Sequence, residues 1–328
     1  MPRAHKPRSG SLAFRPRKRS RDLSPRVGSW PTSTDIPGVG AGKVLGFPAY
    51  KVGMTMIGIV DDSASPSKGM EVALPVTVLE TPKLTIFGIR AYKKTPISIV
   101  CIGDVISSHQ KVLGKLGMKK ETKHKPIEWL EKSIDEIYKI SVLAFTNPDI
   151  AGTPRKKGEV VEIMLGGNVK EQIDYAKTII GKEISVRDTL EEGEYLDAIA
   201  ITKGKGWGGA IQRFGVAKQR RKATGKIRHA GTLGPWHPHY VMYTVPQAGQ
   251  VGHHRRTQYN NRILIISDKP EEINPKGGFP HYGKVKTSYI IVRGSIPGSQ
   301  KRFIFLRKGI RSKKKGAIRK PNILWIGK

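Results

Sequence analysis

The chain has 328 residues, with 59 Lys and Arg against 26 Asp and Glu, for a formal net charge of +33. Its single cysteine, Cys101, excludes an internal disulfide framework and a Cys-based zinc cluster, and fits a reducing, intracellular compartment. Aliphatic runs such as Ile263–Ile266 fall far short of the ~20 residues that span a bilayer, and the basic N-terminus lacks the apolar stretch of a secretory signal.

Residues 1–27 hold nine basic residues and one acid, Asp22, and read as an extended arm whose prolines disfavour a helix. The arm carries Arg3, Lys6, Arg8, Arg15, Arg17, Lys18 and Arg19, and is expected to order only against a polyanion. Residues 28–48 are rich in Gly and Pro and read as a loop. Strands are expected over 51–62, 72–80 and 84–92, the last two split by a Thr81-Pro82 turn. Three short strands with turn signals suggest a small β-barrel or sandwich. From about residue 97 the pattern changes. Ile97–Ile102, Ser141–Phe145 and Glu159–Leu165 read as strands. Ile127, Leu130, Ile134 and Ile137, following Pro126, recur at helical spacing, as do Val169, Ile173, Ala176 and Ile180. The expected organisation is a basic arm and loop over 1–40, a β-barrel from 41–96 and 186–328, and an α/β domain, 97–185, inserted into it. Residues 28–197 carry 22 basic and 22 acidic residues, so the middle of the chain looks like an ordinary soluble domain. Leu196–Thr202, Ile263–Ser267, Thr287–Val292 and Arg302–Leu306 complete the expected strands.

Residues 198–328 hold 28 basic residues and three acids, and 198–267 contains no acid at all. A solvated face usually mixes signs, so this acid-free stretch, interleaved with Gly and aromatics, points to nucleic acid as partner. A membrane surface is disfavoured because no basic amphipathic helix is evident. Residues 203–262 show no sustained period and are expected to form one extended basic loop. In Lys203-Gly204-Lys205-Gly206-Trp207-Gly208-Gly209, glycines let backbone amides approach phosphate, lysines neutralise it, and Trp207 can stack. Arg213, Lys218, Arg220, Arg221, Lys222, Lys226 and Arg228 follow, and then a Gly234–His239 turn that presents Trp236. Lys313, Lys314 and Lys315 lie in a second acid-free stretch, 273–328.

His229, His237, His239, His253 and His254 lie near no Cys or carboxylate, so they are expected to donate to phosphate or stack on bases rather than bind metal. Arg255 and Arg256 follow them as further phosphate contacts. The Gly38–Lys43 run fails as a phosphate loop, since Pro37 stands where Gly is needed and Val44 where Ser or Thr is needed. No nucleophile elbow is present, and the acids lie apart from the histidines, so no catalytic residue is assigned.

The segments HKPRSGSLAFRPRKRS (5–20), YKVGMTMIGIVDD (50–62), DAIAITKGKGWGG (197–209) and GPWHPHYVMYTVPQAGQVGHHRRTQYNNRI (234–263) resemble the universal L-three family of large-subunit ribosomal proteins, of the archaeal and eukaryotic type. The resemblance covers nearly the whole chain. It implies a six-stranded barrel of the translation-factor type carrying an α/β insertion. It further implies direct, early binding to large-subunit ribosomal RNA, with Trp236 at the tip of a long loop that reaches toward the peptidyl transferase centre. Neighbouring large-subunit ribosomal proteins, a place in the cytoplasmic ribosome, and no membrane or homo-oligomer follow from the same resemblance. So does the absence of an enzymatic activity or cofactor, apart from structural Mg2+ or other counterions at the RNA interface. The chain departs from the family at Thr224, which stands where some eukaryotic members carry a modified histidine, so that modification is not carried over. Eukaryotic relatives are also longer at the C-terminus. The competing classes are a general RNA-binding chaperone and an RNA-modifying enzyme. The first would not need a neutral α/β domain, and the second would need a cofactor fingerprint.

Overall fold

The computed structural model describes residues 8–32, 42–107, 114, 125–311 and 320–327. Arg3, Lys6, Gly38–Ala41 and Lys313–Lys315 lie outside the described residues. The strands are β1 (Gly46–Val60), β2 (Glu71–Glu80), β3 (Leu84–Lys94), β4 (Ile99–Ile106), β5 (Lys139–Thr146), β6 (Val160–Met164), β7 (Glu183–Ile184), β8 (Tyr195–Ile201), β9 (Gly204–Gly208), β10 (Gly249–Gly252), β11 (Arg255–Ser267), β12 (Tyr289–Arg293), β13 (Phe303–Lys308) and β14 (Ile323–Ile326). The helices are α1 (Glu128–Lys132), α2 (Val169–Ile179) and α3 (Ala210–Phe214). The protein is thus mostly β with few helices. No helix among the described residues is long and apolar enough to cross a membrane. The chain divides into two units: residues 1–23 with 201–256, and residues 24–200 with 257–328.

The larger unit is built on two sheets. The first has the order β13-β8-β11-β12-β2-β1-β14, and β13 pairs with β1 as well as with β8. The fifteen-residue β1 makes this arrangement feasible. Its first part, Gly46–Tyr50, runs antiparallel to β13, while Ile57–Ile59 pairs with β14. Successive residues Tyr289–Val292 of β12 are all buried and alternate between two apolar clusters. A strand covered on both faces reads as a continuous apolar run, which is what this segment shows.

The second sheet has the order β4-β3-β5-β6, with β7 paired to β3. The grouping of 41–96 as barrel residues put Leu84–Tyr92 with the first sheet, but β3 pairs with β4, β5 and β7. The chain changes sheets at Thr81-Pro82-Lys83, where Pro82 has no N–H to continue a ladder and the Thr81 amide bonds the Ser288 carbonyl at 2.8 Å. Helix α2 covers this sheet with Ile173, Ala176 and Ile179. Asn168 and Glu171 cap its start reciprocally. The helix expected across 127–137 is shorter. It stops at Lys132, passes through a 3-10 turn over Ile134–Glu136, and becomes extended at Ile137. There the Tyr138 amide bonds the Tyr92 carbonyl at 2.7 Å, so strand pairing wins over helical spacing.

Buried charge fixes the larger unit. Arg307 and Asp197 face each other at 2.5 Å across β13 and β8, both essentially inaccessible. Asp197 also accepts the Asn260 and Ile310 amides at 3.0 and 3.2 Å, and Arg307 donates to the Ser29 carbonyl at 2.6 Å. These bonds offset part of the cost of burying the pair, while the Arg307 Nε is buried without a hydrogen-bond partner among the described residues.

Candidate nucleic-acid interface

The smaller unit takes its charge from two segments far apart in sequence. Together, 1–23 and 201–256 contain nineteen Lys and Arg and one acid, Asp22. In place of the structureless loop expected over 203–262, the described residues contain β9, α3, β10 and the first residues of β11, which starts at Arg255. β9 and β10 pair through Gly208–Gly249, Trp207–Gln250 and Gly204–Gly252. Glycine at four of these six positions hides the pairing from any alternation test. Gly252 has φ +72°, and a Cβ there would collide with the Lys203 carbonyl. That close approach lets the His253 amide bond the same carbonyl at 3.2 Å.

Residues 8–23 of the arm lie against 201–256. Their partners are carbonyls and rings. Ser20 donates its amide to the His253 carbonyl at 2.8 Å. Arg17 donates to the Arg213 carbonyl, and Arg213 returns a bond to the Arg17 carbonyl at 3.1 Å. Arg213 also bonds the carbonyls of Gln250 and Gln247, each at 3.1 Å. Arg8 donates to the Thr244 carbonyl. Phe214, at the end of α3, is only 5% exposed and carries three guanidiniums. Arg17 lies 4.2 Å from its centroid, and Arg15 and Arg213 each 5.2 Å. Arg256 stacks on Phe14 at 4.5 Å. Guanidinium is weakly hydrated and planar, so it tolerates such contacts without a carboxylate. Burial and the neighbouring guanidiniums push Arg17, Arg213 and Arg256 below the usual arginine range.

His254 also differs from its expected role. Its Nε2 accepts the Gly252 amide at 3.1 Å, so the proton sits on Nδ1, which faces the Lys18 carbonyl at 3.0 Å. Both ring nitrogens are used inside the chain, and neither is left for phosphate. Burial, reinforced by Arg256, Arg17 and Arg213, lowers its pKa against the opposing effect of the Lys18 bond. Its neutral form is therefore the one that holds the arm.

The remaining sequence candidates stay open to solvent. Lys18, Arg19, Lys203, Lys205, Lys218, Arg220, Arg221, Lys222, Lys226, Arg228, His229 and Arg255 are exposed. The Gln219 amide bonds the Ile227 carbonyl at 2.9 Å and the Ala223 amide bonds that of Arg220 at 3.0 Å, which folds the Lys218–Arg228 run into a compact turn. Trp207 and Trp236 are 80% and 81% exposed, and Tyr240 and Tyr243 are exposed beside them in sequence. The His239 ring lies 5.6 Å from Trp236, edge on, and 4.4 Å from His237. Sequence reasoning missed Phe14, Phe214 and Ser20. The available signals were the Ala210 and Phe214 pair at helical i, i+4 spacing beside Arg213, and Phe14 directly before the Arg15–Arg19 run.

Exposed cations on a glycine-bordered frame, with aromatic faces beside them, can neutralise phosphates and stack bases. The class so defined is a mostly β RNA-binding protein. The family model for ribosomal protein L3 matches residues 1–325, and the chain belongs to that family. Curated relatives named large ribosomal subunit protein uL3 are similar over nearly their whole length. The one from Methanosphaera stadtmanae is 46% identical, covering 99% of this chain and 98% of the relative. Those from Methanococcus vannielii and Archaeoglobus fulgidus are 45% and 43% identical over 94% of this chain, and over 92% and 93% of their own lengths.

Proposed function

We propose that the smaller unit anchors this chain in the large ribosomal subunit by binding ribosomal RNA directly. As a member of its family the chain is a structural constituent of that subunit and not an enzyme. The observation that carries the reading is the joining of arm and loop into one unit with nineteen cations and one acid. Lys18, Arg19, Lys203, Lys205, Lys218, Arg220, Arg221, Lys222, Lys226, Arg228, His229 and Arg255 contact phosphates, joined by Arg3, Lys6 and the Lys313–Lys315 run. Trp207, Trp236, His237 and His239 contact bases or sugars near the peptidyl transferase centre. Arg8, Arg15, Arg17, Arg213, His253, His254 and Arg256 position the arm for them.

The same reading covers the architecture and the partners. The β1–β13 pairing supports closing the first sheet into a six-stranded barrel, with β14 added outside the ring. The second sheet and α2 form the α/β insertion, which then begins at β3. Neighbouring ribosomal proteins of the cytoplasmic ribosome complete the surroundings, and counterions such as Mg2+ sit at the RNA interface.

The test is sedimentation of a cell lysate through sucrose in high salt, tracing the full chain and a version lacking residues 1–21. Retention of the full chain with the large subunit and loss of the truncated one is the expected result. Release of the full chain while the subunits stay intact would overturn the assignment as an integral RNA-anchored component. Equal retention of both would remove the arm from the anchor.

A further inference from the structure

The hairpin that joins β3 to β4 in the larger unit ends in a bare apolar tip. Ile97 is 97% exposed, and Ile99 and Val100 beside it are 46% and 48% exposed. β5 starts at Lys139, opposite Tyr92, so residues 93–100 run on as a two-stranded ribbon beyond the rest of their sheet. Such a ribbon is marginal by itself. This one is held at its turn and at its side. The Thr95 amide bonds the Ser98 carbonyl at 2.8 Å, and the Thr95 hydroxyl accepts the Ser98 amide at 3.1 Å and donates to the Ser98 carbonyl at 2.7 Å. Lys93 pairs with Glu136 at 3.1 Å, and Lys94 Nζ lies 5.5 Å from the centroid of the Tyr138 ring.

β4 is also the edge of its sheet, and among the described residues no strand pairs with its other side. In an antiparallel ladder, opposite residues alternate between pairs that exchange bonds and pairs that do not. Thr95 and Ser98 close a bonded pair at the turn, and the register continues Lys94–Ile99, Lys93–Val100 and Tyr92–Cys101. Ile99 and Cys101 therefore fall in the non-bonded pairs and turn their amides and carbonyls to the open side. The register shifts before Gly103, and Lys125 Nζ bonds the Ile102 carbonyl at 3.1 Å. A bulge and an added lysine are ordinary ways of blunting an edge. Here they cover only its second half, and Ile99, Val100 and Cys101 are left open and uncharged. Lys94 and Lys125 flank the open half with no ion pair among the described residues. The acids nearest to it are already taken, Glu136 by Lys93 and Asp104 by Arg90 at 2.6 Å.

We propose that the open half of β4 docks an extended segment of a neighbouring protein of the large subunit, added as a strand beyond β4. The segment carries branched apolar side chains over Ile97, Ile99 and Val100, and a carboxylate within reach of Lys94 or Lys125. Strand addition of this kind draws its affinity from main-chain bonds and its selectivity from alternate side chains. An amide and a carbonyl that recur two residues apart match a second strand. They do not match a run of phosphates, whose oxygens the carbonyls would repel. Because the hairpin is already held, little ordering entropy on this side opposes docking. The proposal rests on the reading that the chain sits in the large subunit.

The test compares the free full chain with the same chain in purified large subunits. Hydrogen exchange at the Ile99 and Cys101 amides should slow about 100-fold or more in the subunit, because both gain a strand partner. A photo-crosslinking residue in place of Ile97 should join, in the subunit, to a protein segment with alternating apolar residues and an Asp or Glu close by. Ile99→Pro removes an outward amide without removing a bond to β3. It should abolish both the crosslink and the protection of Cys101, while Ile99→Ala keeps both. Exchange at the amides of β5 reports whether each variant is folded, and if Ile99→Pro unfolds, the wild-type comparison still decides. Equal exchange at Ile99 and Cys101 in the free and assembled chain would overturn the proposal. So would a crosslink to RNA or to a second copy of this chain, or a crosslink that survives Ile99→Pro. Absence of the wild-type chain from the purified subunits would instead overturn the proposed function itself.

Discussion

Replacing Phe214 by alanine removes the ring on which Arg15, Arg17 and Arg213 rest. At 4.2 to 5.2 Å from the centroid, each guanidinium contributes about 0.5–1 kcal/mol at a partly open site, or roughly 2 kcal/mol in all. The buried ring adds ~1.5–3 kcal/mol of apolar burial. The two together agree with the ~3–5 kcal/mol typical of a buried Phe→Ala change. Taking ~3 kcal/mol for the contact between arm and loop, and ~1.4 kcal/mol per factor of ten, the opening of the arm should become about 100-fold more frequent. Hydrogen exchange reads this directly. The Ser20 amide, bonded to the His253 carbonyl, should exchange about 100-fold faster, while amides of β12 in the larger unit keep their protection. Phe214→Leu keeps most of the volume but not the π face, and should give an intermediate effect. An unchanged Ser20 rate in the folded variant would refute the stacking account. Equal acceleration in β12 would refute the confinement of the effect to the smaller unit.

Three further outcomes are expected. Asp197→Ala leaves Arg307 buried without its carboxylate and should cost about 3–5 kcal/mol, read as a lower urea midpoint. His254 has its pKa lowered by folding, so the unfolded chain binds the proton first. The stability it contributes is present above the unfolded value of about 6.5 and is lost as pH falls through the lower folded value, so Ser20 protection should decline below pH ~6.5 in the wild type. A His254→Asn variant that kept the same decline would exclude this residue as its source. Trp236→Ala, at a site 81% exposed, should change stability by less than ~0.5 kcal/mol while impairing function in the ribosome. A large drop in melting temperature would show the ring to be a packing residue instead.

How much could be read from the sequence depended on where each residue's partner lies. β5 and β12 follow from continuous apolar runs, β2 from a run whose second half is buried throughout, and α2 from its helical spacing. β9 and β10 do not, since KGKGWGG and GQVG present mostly backbone and their pairing is set by glycines 41 residues apart, at Gly208 and Gly249. β3 is apolar enough to be recognised as a strand, yet nothing in LTIFGIRAYKK says which sheet it joins. That is decided by the Pro82 break and by β5. Among the site residues, charge alone identified the exposed cations. It could not separate Arg17 and Arg213, which bond carbonyls, from Lys205 or Arg220, which stay open. Glu80, buried at the end of β2, was invisible for the same reason. It ends an apolar run, and its donors come from residues 152, 282, 286 and 287.

The two-segment build of the smaller unit bears on how the chain is made. Arg17 meets Arg213 across 196 residues of sequence, and Arg8 meets Thr244 across 236. Synthesis runs from the N-terminus at roughly 5–20 residues per second, so the arm leaves the exit tunnel about 10–40 s before the segment that receives it. During that interval its guanidiniums have neither Phe214 nor the carbonyls of 244–250 to rest on. The nascent arm is then a free polycation beside ribosomal RNA, the one polyanion always within reach of a chain under construction. Stable folding of this unit has to wait for residues near 256, which makes it a late, high-contact-order event in a protein whose first residues emerge already charged for binding.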